Sequence, residues 1–357
     1  NLAICASLDD LDAVADLARN VAAVAVEVEN LPAEAAEMAA RRAPLRPGPR
    51  VIRITQHRGL QKRYLRQRGF PVIPFVEIAS LRALDDALHG FKTPAVLKPA
   101  QAGCDGRQRF LIHSPLQAEE AWTAIGRRPA VLEKWIDIHR ELTVIVAQSP
   151  FGEMATYGPI HNMYRHGLLD ASVLPAGCPK SVTDRAVRLA RDIACRLGAI
   201  GVLCVEMFVT DDYELLVNQL VPRPHGSGHL TLNAHVTSQS EQLVRTMCGL
   251  PLGPADPLCP AATVSLRGDL WQDGEPDWAK AFEVPGTHVY LYGKRNPHPR
   301  RRMGHITVLA REPRTALARA ITAREALRPM AGAGRRAARV FSEDTAESAS
   351  VAPMTAS

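Results

Sequence analysis

The sequence predicts an α/β chain that passes into an α+β one, on three observations. Helical and β-branched apolar runs alternate through the first part of the chain; from Pro94 the apolar runs come in pairs around polar or Gly-containing turns; and one long amphipathic stretch, 183–197, precedes a pronounced hairpin pattern. Leu8 to Asn20 has helical spacing, and 21–27 is the continuous apolar run of a buried parallel strand. Asn30 is placed to cap a helix from about Pro32 to Arg42, with Pro in its first turn and Glu34 near the positive end of its dipole. Thr55 is expected to cap the next helix, to about Arg68. Up to about residue 90 the chain therefore reads as the later part of an open parallel sheet, without an opening βαβ unit to carry a Gly-rich phosphate turn.

Beyond Pro94, strand 95–98 and its partner 109–112 flank the loop 99–108. Gly103, Gly106 and Arg107 could close over phosphates with backbone N–H groups and one cation, although hairpin tips are also Gly-rich for turn geometry alone. Segments 131–136 and 140–146 follow as strands, then the helix 183–197 and paired runs over 205–218. The tail beyond Ala331, rich in Ala, Arg and Ser, has little to bury and is expected to be disordered.

Composition limits the function classes. A chain of 357 residues, 46% hydrophobic and 22% charged, has material for two or three globular domains. Its early apolar stretch Val21 to Val26 is far short of the ~20 residues of a membrane span, and no basic-then-apolar leader opens the chain, so a cytoplasmic protein is expected. Seven scattered cysteines without a Cys-x-x-Cys pair imply reduced thiols rather than disulfides or zinc. The net charge of +6 is uneven: between Glu37 and Glu77 stand ten Arg or Lys and no acid. Without a nucleic-acid module, this basic stretch points to a phosphorylated small molecule rather than to nucleic acid.

The most informative segment is 199–228. Two apolar runs flank Thr210-Asp211-Asp212, and folding there brings Glu206 opposite Asn218 and next to Gln219. One carboxylate and two amide oxygens suit a hard cation such as Mg²⁺, and Arg223 and His225 follow at once, ready for an anion. The same spacing fits an ordinary core hairpin with polar ends.

The order of these features resembles the ATP-grasp enzymes, and within them the 5-(carboxyamino)imidazole ribonucleotide synthase family of purine biosynthesis. The resemblance rests on Glu27-Val-Glu29-Asn30, Lys62-Arg63-Tyr64-Leu65, Gly103-Cys104-Asp105-Gly106, Arg140-Glu141-Leu142 and Asn162-Met163-Tyr164-Arg165-His166-Gly167. It continues through Pro222-Arg223-Pro224-His225, Thr237-Ser238-Gln239, 248–253, and Tyr292-Gly293-Lys294 through Met303-Gly304-His305. It implies an ATP-grasp fold with a partial pre-ATP-grasp domain over 1–55, an ATP-grasp domain over 56–255, a small β-rich C-terminal domain over 256–330 and a tail. The implied reaction is ATP-dependent carboxylation of aminoimidazole ribonucleotide with bicarbonate, using Mg²⁺ or Mn²⁺, in a homodimer. By position, Lys98 would meet the ATP phosphates from its strand, Arg58 would lie on the nucleotide side, and Glu133 with the backbone after it would read adenine. Glu141 would accept from the ribose, and Asn218 would join the nucleotide site. Glu206 and Gln219 would hold the metal, and Arg223 with His225 would hold bicarbonate and the transferring phosphoryl. Glu27, Lys294 and Arg301 would face the aminoimidazole ribonucleotide, with Asp105 and Arg107 in the loop closing over it.

Several positions depart from the family pattern. Gln219 stands for a second metal-binding Glu, Gly226 for an Asn, Cys104 for a loop Tyr, Pro99-Ala100 for Thr-Arg, and His161 for a Glu. Three readings therefore stay open: an active ligase, a relative that binds nucleotide or a partner without turnover, and a ligase with a different acceptor.

Overall fold

The computed structural model describes residues 3–28, 30–101 and 109–328. The helix Leu11–Arg19, capped by Asp10 accepting from Ala13 N at 3.0 Å, shares a core with the helix Ala33–Ala40. Beside them runs a parallel pair, β1 (Val24–Ala25) and β2 (Leu45–Arg46).

Three expectations for this part are corrected. The strand expected over 21–27 pairs at two residues, because β2 lies between Pro44 and Pro47, which have no N–H to extend a ladder, and Val21 and Val28 are exposed. Asn30 caps nothing: Pro32 holds the N-cap position of Ala33–Ala40, without a side-chain bond. Thr55 lies in the last turn of a separate helix, Pro49–Gln56, where its hydroxyl bonds back to Val51 O at 2.9 Å. Pro49 starts that helix early, and His57 caps the next one, Arg58–Gln67, its Nδ1 accepting from Leu60 N at 3.2 Å.

A four-stranded antiparallel sheet follows: β3 (Phe75–Ile78), β4 (Ala95–Pro99), β5 (Phe110–Ile112) and β6 (Ala130–Lys134), in the order β3-β6-β4-β5. The change from parallel to antiparallel thus comes before residue 90, since β3 pairs antiparallel with β6, Phe75 opposite Glu133. β4 and β5 pair as expected, Ala95 opposite Ile112. Leu84 and Leu88 from the helix Leu81–Gly90, and Trp122 from Ala118–Ala124, pack with Leu97, Ile112 and Leu132.

The larger sheet contains β7 (Arg140–Gln148), β8 (Met154–Arg165), β9 (Leu168–Leu174), β10 (Gly201–Val209), β11 (Leu215–Val221), β12 (Ala261–Arg267), β13 (Thr287–Leu291) and β14 (Arg302–Leu309). Its order is β11-β10-β7-β8-β9-β12-β14-β13. β10 is buried almost throughout, which is why it reads as an unbroken apolar run. The helix Lys180–Leu197 buries Val182, Ala186, Ala190, Ile193 and Leu197 on one stripe and ends at Gly198, left-handed at φ 70°, whose N–H reaches Ala194 O at 3.0 Å. The helix Pro313–Ala326 sets Ala316, Ala320 and Ala323 against Val264, Ile306 and Val308. Among the described residues no helix is long and apolar enough to cross a membrane.

Candidate active site

The helix Arg58–Gln67 joins the two sheets at the site. Buried Gln61 exchanges two hydrogen bonds with Leu220 of β11: Nε2 donates to Leu220 O (3.2 Å), and Leu220 N donates to Oε1 (3.0 Å). The next residue, Lys62, points to the smaller sheet, where its Nζ lies 3.1 Å from Glu133 Oε1 without the angle of a directed hydrogen bond. Lys98 Nζ on β4 donates to Glu133 Oε2 at 2.8 Å. Glu133 and Lys62 are each 2% exposed. Burial alone would raise the Glu133 pKa; the ammoniums of Lys98 and Lys62 outweigh it and hold the group at about 2. Burial lowers the Lys62 pKa, and Glu133 opposes that shift. The Glu133 carboxylate is thus taken up by two cations, and what position 133 can offer a base is the backbone beyond it.

Arg58 opens the same helix, its N–H bonded to Ala100 O and its Nη1 to Pro99 O, both at 2.7 Å. Arg58 and Gln219 line one small cleft with Thr55 and Pro222. On β7, Glu141 stands between Asn162 and Phe208; burial pushes its pKa up to about 7, while Arg109 and Lys98 pull it back. His161 bonds Arg140 Nη1 through Nδ1 at 3.3 Å, and burial with that guanidinium lowers its pKa.

The hairpin β10–β11 carries the second group. A bulge shifts the register: Glu206 faces Gln219 and Met207 faces Val217, so Asn218 is the extra residue and not the one opposite Glu206. Asn218 nonetheless turns its Nδ2 to 3.5 Å from Glu206 Oε2, and Tyr164 OH stands 3.5 Å from Oε1. His225 Nε2 lies 3.4 Å from Oε1. His225 Nδ1 accepts from Ser227 N at 3.3 Å and meets Ser227 Oγ at 2.8 Å. That assigns the proton to Nε2, so a neutral imidazole donates toward Glu206. Burial, then the charges of Arg223 and Arg302, hold the His225 pKa down at about 3, so this contact is one of a neutral imidazole and not an ion pair. Cys204 Sγ, on β10, bonds Arg223 O at 3.3 Å and so fixes the chain between strand and turn.

Thus Lys98 and Glu133 stand on the smaller sheet, Glu141, Glu206, Asn218 and Gln219 on neighbouring strands of the larger one with Arg223 and His225 just beyond β11, and Arg58 at the cleft that Gln219 also lines. Three of the remaining candidates are exposed. Glu27 is exposed past β1. Lys294 is exposed with its Nζ on Arg302 O at 2.9 Å, and Arg301 is exposed with its Nη1 on Asn296 O at 2.9 Å. Asp105 and Arg107 lie outside the described residues, as do Cys104 and the tail.

Sequence reasoning missed Lys62, Tyr164 and Arg302 as individual contributors, together with an aromatic and imidazole cluster. There Tyr292 OH lies 3.0 Å from His229 Nδ1 and 2.9 Å from His305 Nδ1, and burial lowers these imidazoles to about 4 and about 3. A signal for Lys62 was available: it lies three residues before apolar Leu65, on the same helix face, where a solvated lysine would not sit. A cleft of about 740 Å³ between Asp170, Arg267 and Arg324 is lined by none of the candidate residues.

Comparison with known proteins decides the family. A ribonucleotide synthetase pre-ATP-grasp domain model matches residues 1–56, an ATP-grasp domain model 63–240, and a phosphoribosylaminoimidazole carboxylase C-terminal domain model 264–319. The N5-carboxyaminoimidazole ribonucleotide synthase of Bacillus subtilis (strain 168) is 37% identical over 306 residues, which is 86% of this chain and 80% of the relative. The chain belongs to the N5-carboxyaminoimidazole ribonucleotide synthase family. Another member of that name, from Brucella melitensis, is 34% identical over 88% of this chain and 86% of its own. A synthetase of this family solved as its ADP complex superposes with a TM-score of 0.84 at 32% identity, covering 90% of this chain and 84% of that one. The synthase from Aspergillus clavatus, solved with ADP and 5-aminoimidazole ribonucleotide, gives 0.81 at 25% identity, over 90% of this chain and 86% of that one. The ATP-grasp fold and the family expected from the motifs are therefore the ones found.

Proposed function

We propose that this chain carboxylates 5-aminoimidazole ribonucleotide with bicarbonate at the expense of ATP, giving 5-(carboxyamino)imidazole ribonucleotide, ADP and phosphate in purine biosynthesis. The observation that carries the reading is a set of two charged groups: the cations Lys98 and Arg58 at the smaller sheet and its helix, and Glu206 with His225 at the β10–β11 hairpin, where Arg223 adds its charge beside the imidazole. In this reading a bicarbonate oxygen attacks the γ-phosphorus of ATP and ADP leaves. The exocyclic amine then takes the carboxyl carbon from carboxyphosphate, phosphate leaves, and the nitrogen loses a proton. Positioning and cations on the phosphoryl oxygens, more than covalent catalysis, lower such a barrier.

Lys98 and Arg58 bind the nucleotide phosphates, Glu141 orients the ribose in its ionised form, and the backbone after Glu133 reads the base. Arg223 grips bicarbonate through its planar fork. His225, neutral and with Nδ1 committed to Ser227, donates from Nε2 and is not the base. Glu27, Lys294 and Arg301 serve the ribonucleotide, and Asp105 with Arg107 closes over it.

Glu206, with the amide oxygens of Gln219 and Asn218, fits Mg²⁺ or Mn²⁺ held mainly by phosphates, because such ions need one or two carboxylates and share the rest with nucleotide and water. Among the described residues no cluster of three or more His, Cys, Asp or Glu could hold a metal without such help. The metal would neutralise charge on the phosphates. A homodimer in the cytoplasm completes the reading.

The test is phosphate release from Mg·ATP by purified protein. Release that requires both bicarbonate and aminoimidazole ribonucleotide is expected. ATP binding with no such release would favour the reading that Gln219 suggests, a nucleotide binder without turnover.

A further inference from the structure

Arg302 stands at the start of β14, in the C-terminal part of the chain, yet its guanidinium lies at the end of the β10–β11 hairpin. A Cβ at Gly226 would overlap Arg302 Nη1 and come within 3.5 Å of Leu169 Cδ2. The missing side chain at 226 is what admits the guanidinium. Gly226 follows His225 directly and opens the short 3₁₀ turn Gly226–Leu230, so the fork arrives beside the imidazole that donates toward Glu206.

Three further observations bear on its role. Its charge acts on His225, His229 and His305, and also on Tyr164, whose hydroxyl stands 3.5 Å from Glu206 Oε1. Among the described residues its guanidinium makes no hydrogen bond or ion pair, whereas Arg324 grips Asp170 at 2.7 and 3.2 Å and Arg63 grips Glu77 at 3.0 and 2.7 Å. Its main chain is pinned, by the β12–β14 ladder and by Lys294 Nζ on its carbonyl, so the donors are presented from a fixed base. A half-buried cation with five donors and no carboxylate on them is arranged for an anion that arrives.

We infer that Arg302 is an anion-binding residue of the reaction face, offering its guanidinium to the planar oxyanion of bicarbonate and to the phosphoryl group transferred onto it. The inference rests on the proposed carboxylation for the identity of the anion, and Arg223 is its partner on the same ligand. A guanidinium fits a planar three-oxygen anion through two parallel N–H bonds, which an ammonium at the same place cannot form.

Arg302→Gln, Arg302→Lys and Gly226→Ala test it, each first checked for an unchanged urea midpoint. In phosphate release, Arg302→Gln is expected to raise KM for bicarbonate roughly ten- to hundredfold, with KM for ATP within about twofold of the parent. Arg302→Lys falls between, since it keeps the charge and loses the fork. Gly226→Ala moves KM for bicarbonate the same way, because its Cβ displaces Nη1. A bicarbonate KM for Arg302→Gln within about twofold of the parent overturns the inference while the carboxylation reading stands. If the parent itself releases no bicarbonate-dependent phosphate, that reading fails separately, and ¹³C line broadening of labelled bicarbonate with the ADP-bound protein still decides. Broadening present in the parent and lost in Arg302→Gln supports the anion site; equal broadening in both, or none in either, overturns it.

Discussion

Two buried carboxylates, Glu133 and Glu206, lie on the two walls of one site and are held in opposite ways. Glu133 has an ammonium on each oxygen, at 2.8 and 3.1 Å, and is held at about pKa 2. Among the groups that meet Glu206 are three uncharged ones, Tyr164, Asn218 and His225, at 3.4 to 3.5 Å, the long edge of hydrogen-bonding range. The first arrangement is complete without a ligand and fixes the helix Arg58–Gln67 to the smaller sheet. In the proposed function, similar burial of a carboxylate serves architecture at Glu133 and turnover at Glu206.

The largest expected effect breaks the first wall. Glu133→Gln leaves two ammoniums, one of them fully buried, without their counter-charge, and should cost about 3–5 kcal/mol in urea unfolding. A loss under about 1 kcal/mol would mean that the triad does not hold the sheet.

On the second wall, Gln219→Glu adds a carboxylate opposite Glu206, and Mg²⁺ dependence of phosphate release should shift to lower metal by about tenfold, one charge at a cation site being worth about 1.4 kcal/mol or more. An unchanged Mg²⁺ midpoint would remove the charge argument.

Acid should separate the walls. His225, His229 and His305 have folded pKa values lowered to about 3 to 4, so they bind protons more readily unfolded. Their contribution is full above the unfolded value of about 6.5 and is lost as pH falls through the window toward 3 to 4. Glu141, raised to about 7, acts in the opposite sense, one group against three. Glu133 keeps its contribution above its unfolded value and loses it only as pH falls from there to about 2. The urea midpoint should therefore fall between pH 6.5 and 4.5, before Glu133 titrates. A midpoint flat over that range would contradict the assignment of neutral imidazoles. The smallest effect belongs to surface pairs such as Lys180–Asp184, 2.7 Å apart and exposed, where Lys180→Ala should change stability by no more than about 0.5 kcal/mol.

How much of this was legible in the sequence follows from what each feature depends on. The β10–β11 hairpin and the helix 180–197 were readable because apolar periodicity and a polar turn are local signals. The bulge that moves Asn218 out of register was not, since Asn218 and Gln219 are both polar and either one fits the position opposite Glu206. The strand expected over 21–27 failed because its length is set by a proline-bounded partner far along the chain. Lys98, Glu133, Glu206 and His225 were found through motif order. Lys62 and Arg302 were not: each acts across a domain-scale distance in sequence, Lys62 on residue 133 and Arg302 on residue 226. Among three consecutive arginines, nothing local says which one a distant glycine will admit.

The most direct test of the division between the walls is phosphate release from ATP, bicarbonate and aminoimidazole ribonucleotide by Glu206→Gln protein whose urea midpoint matches the parent. A fall in kcat of about a hundredfold or more at that unchanged stability is predicted, as for loss of a group that acts on transition-state charge. Turnover within about threefold of the parent would contradict it and leave Glu206 a core residue of an ordinary hairpin.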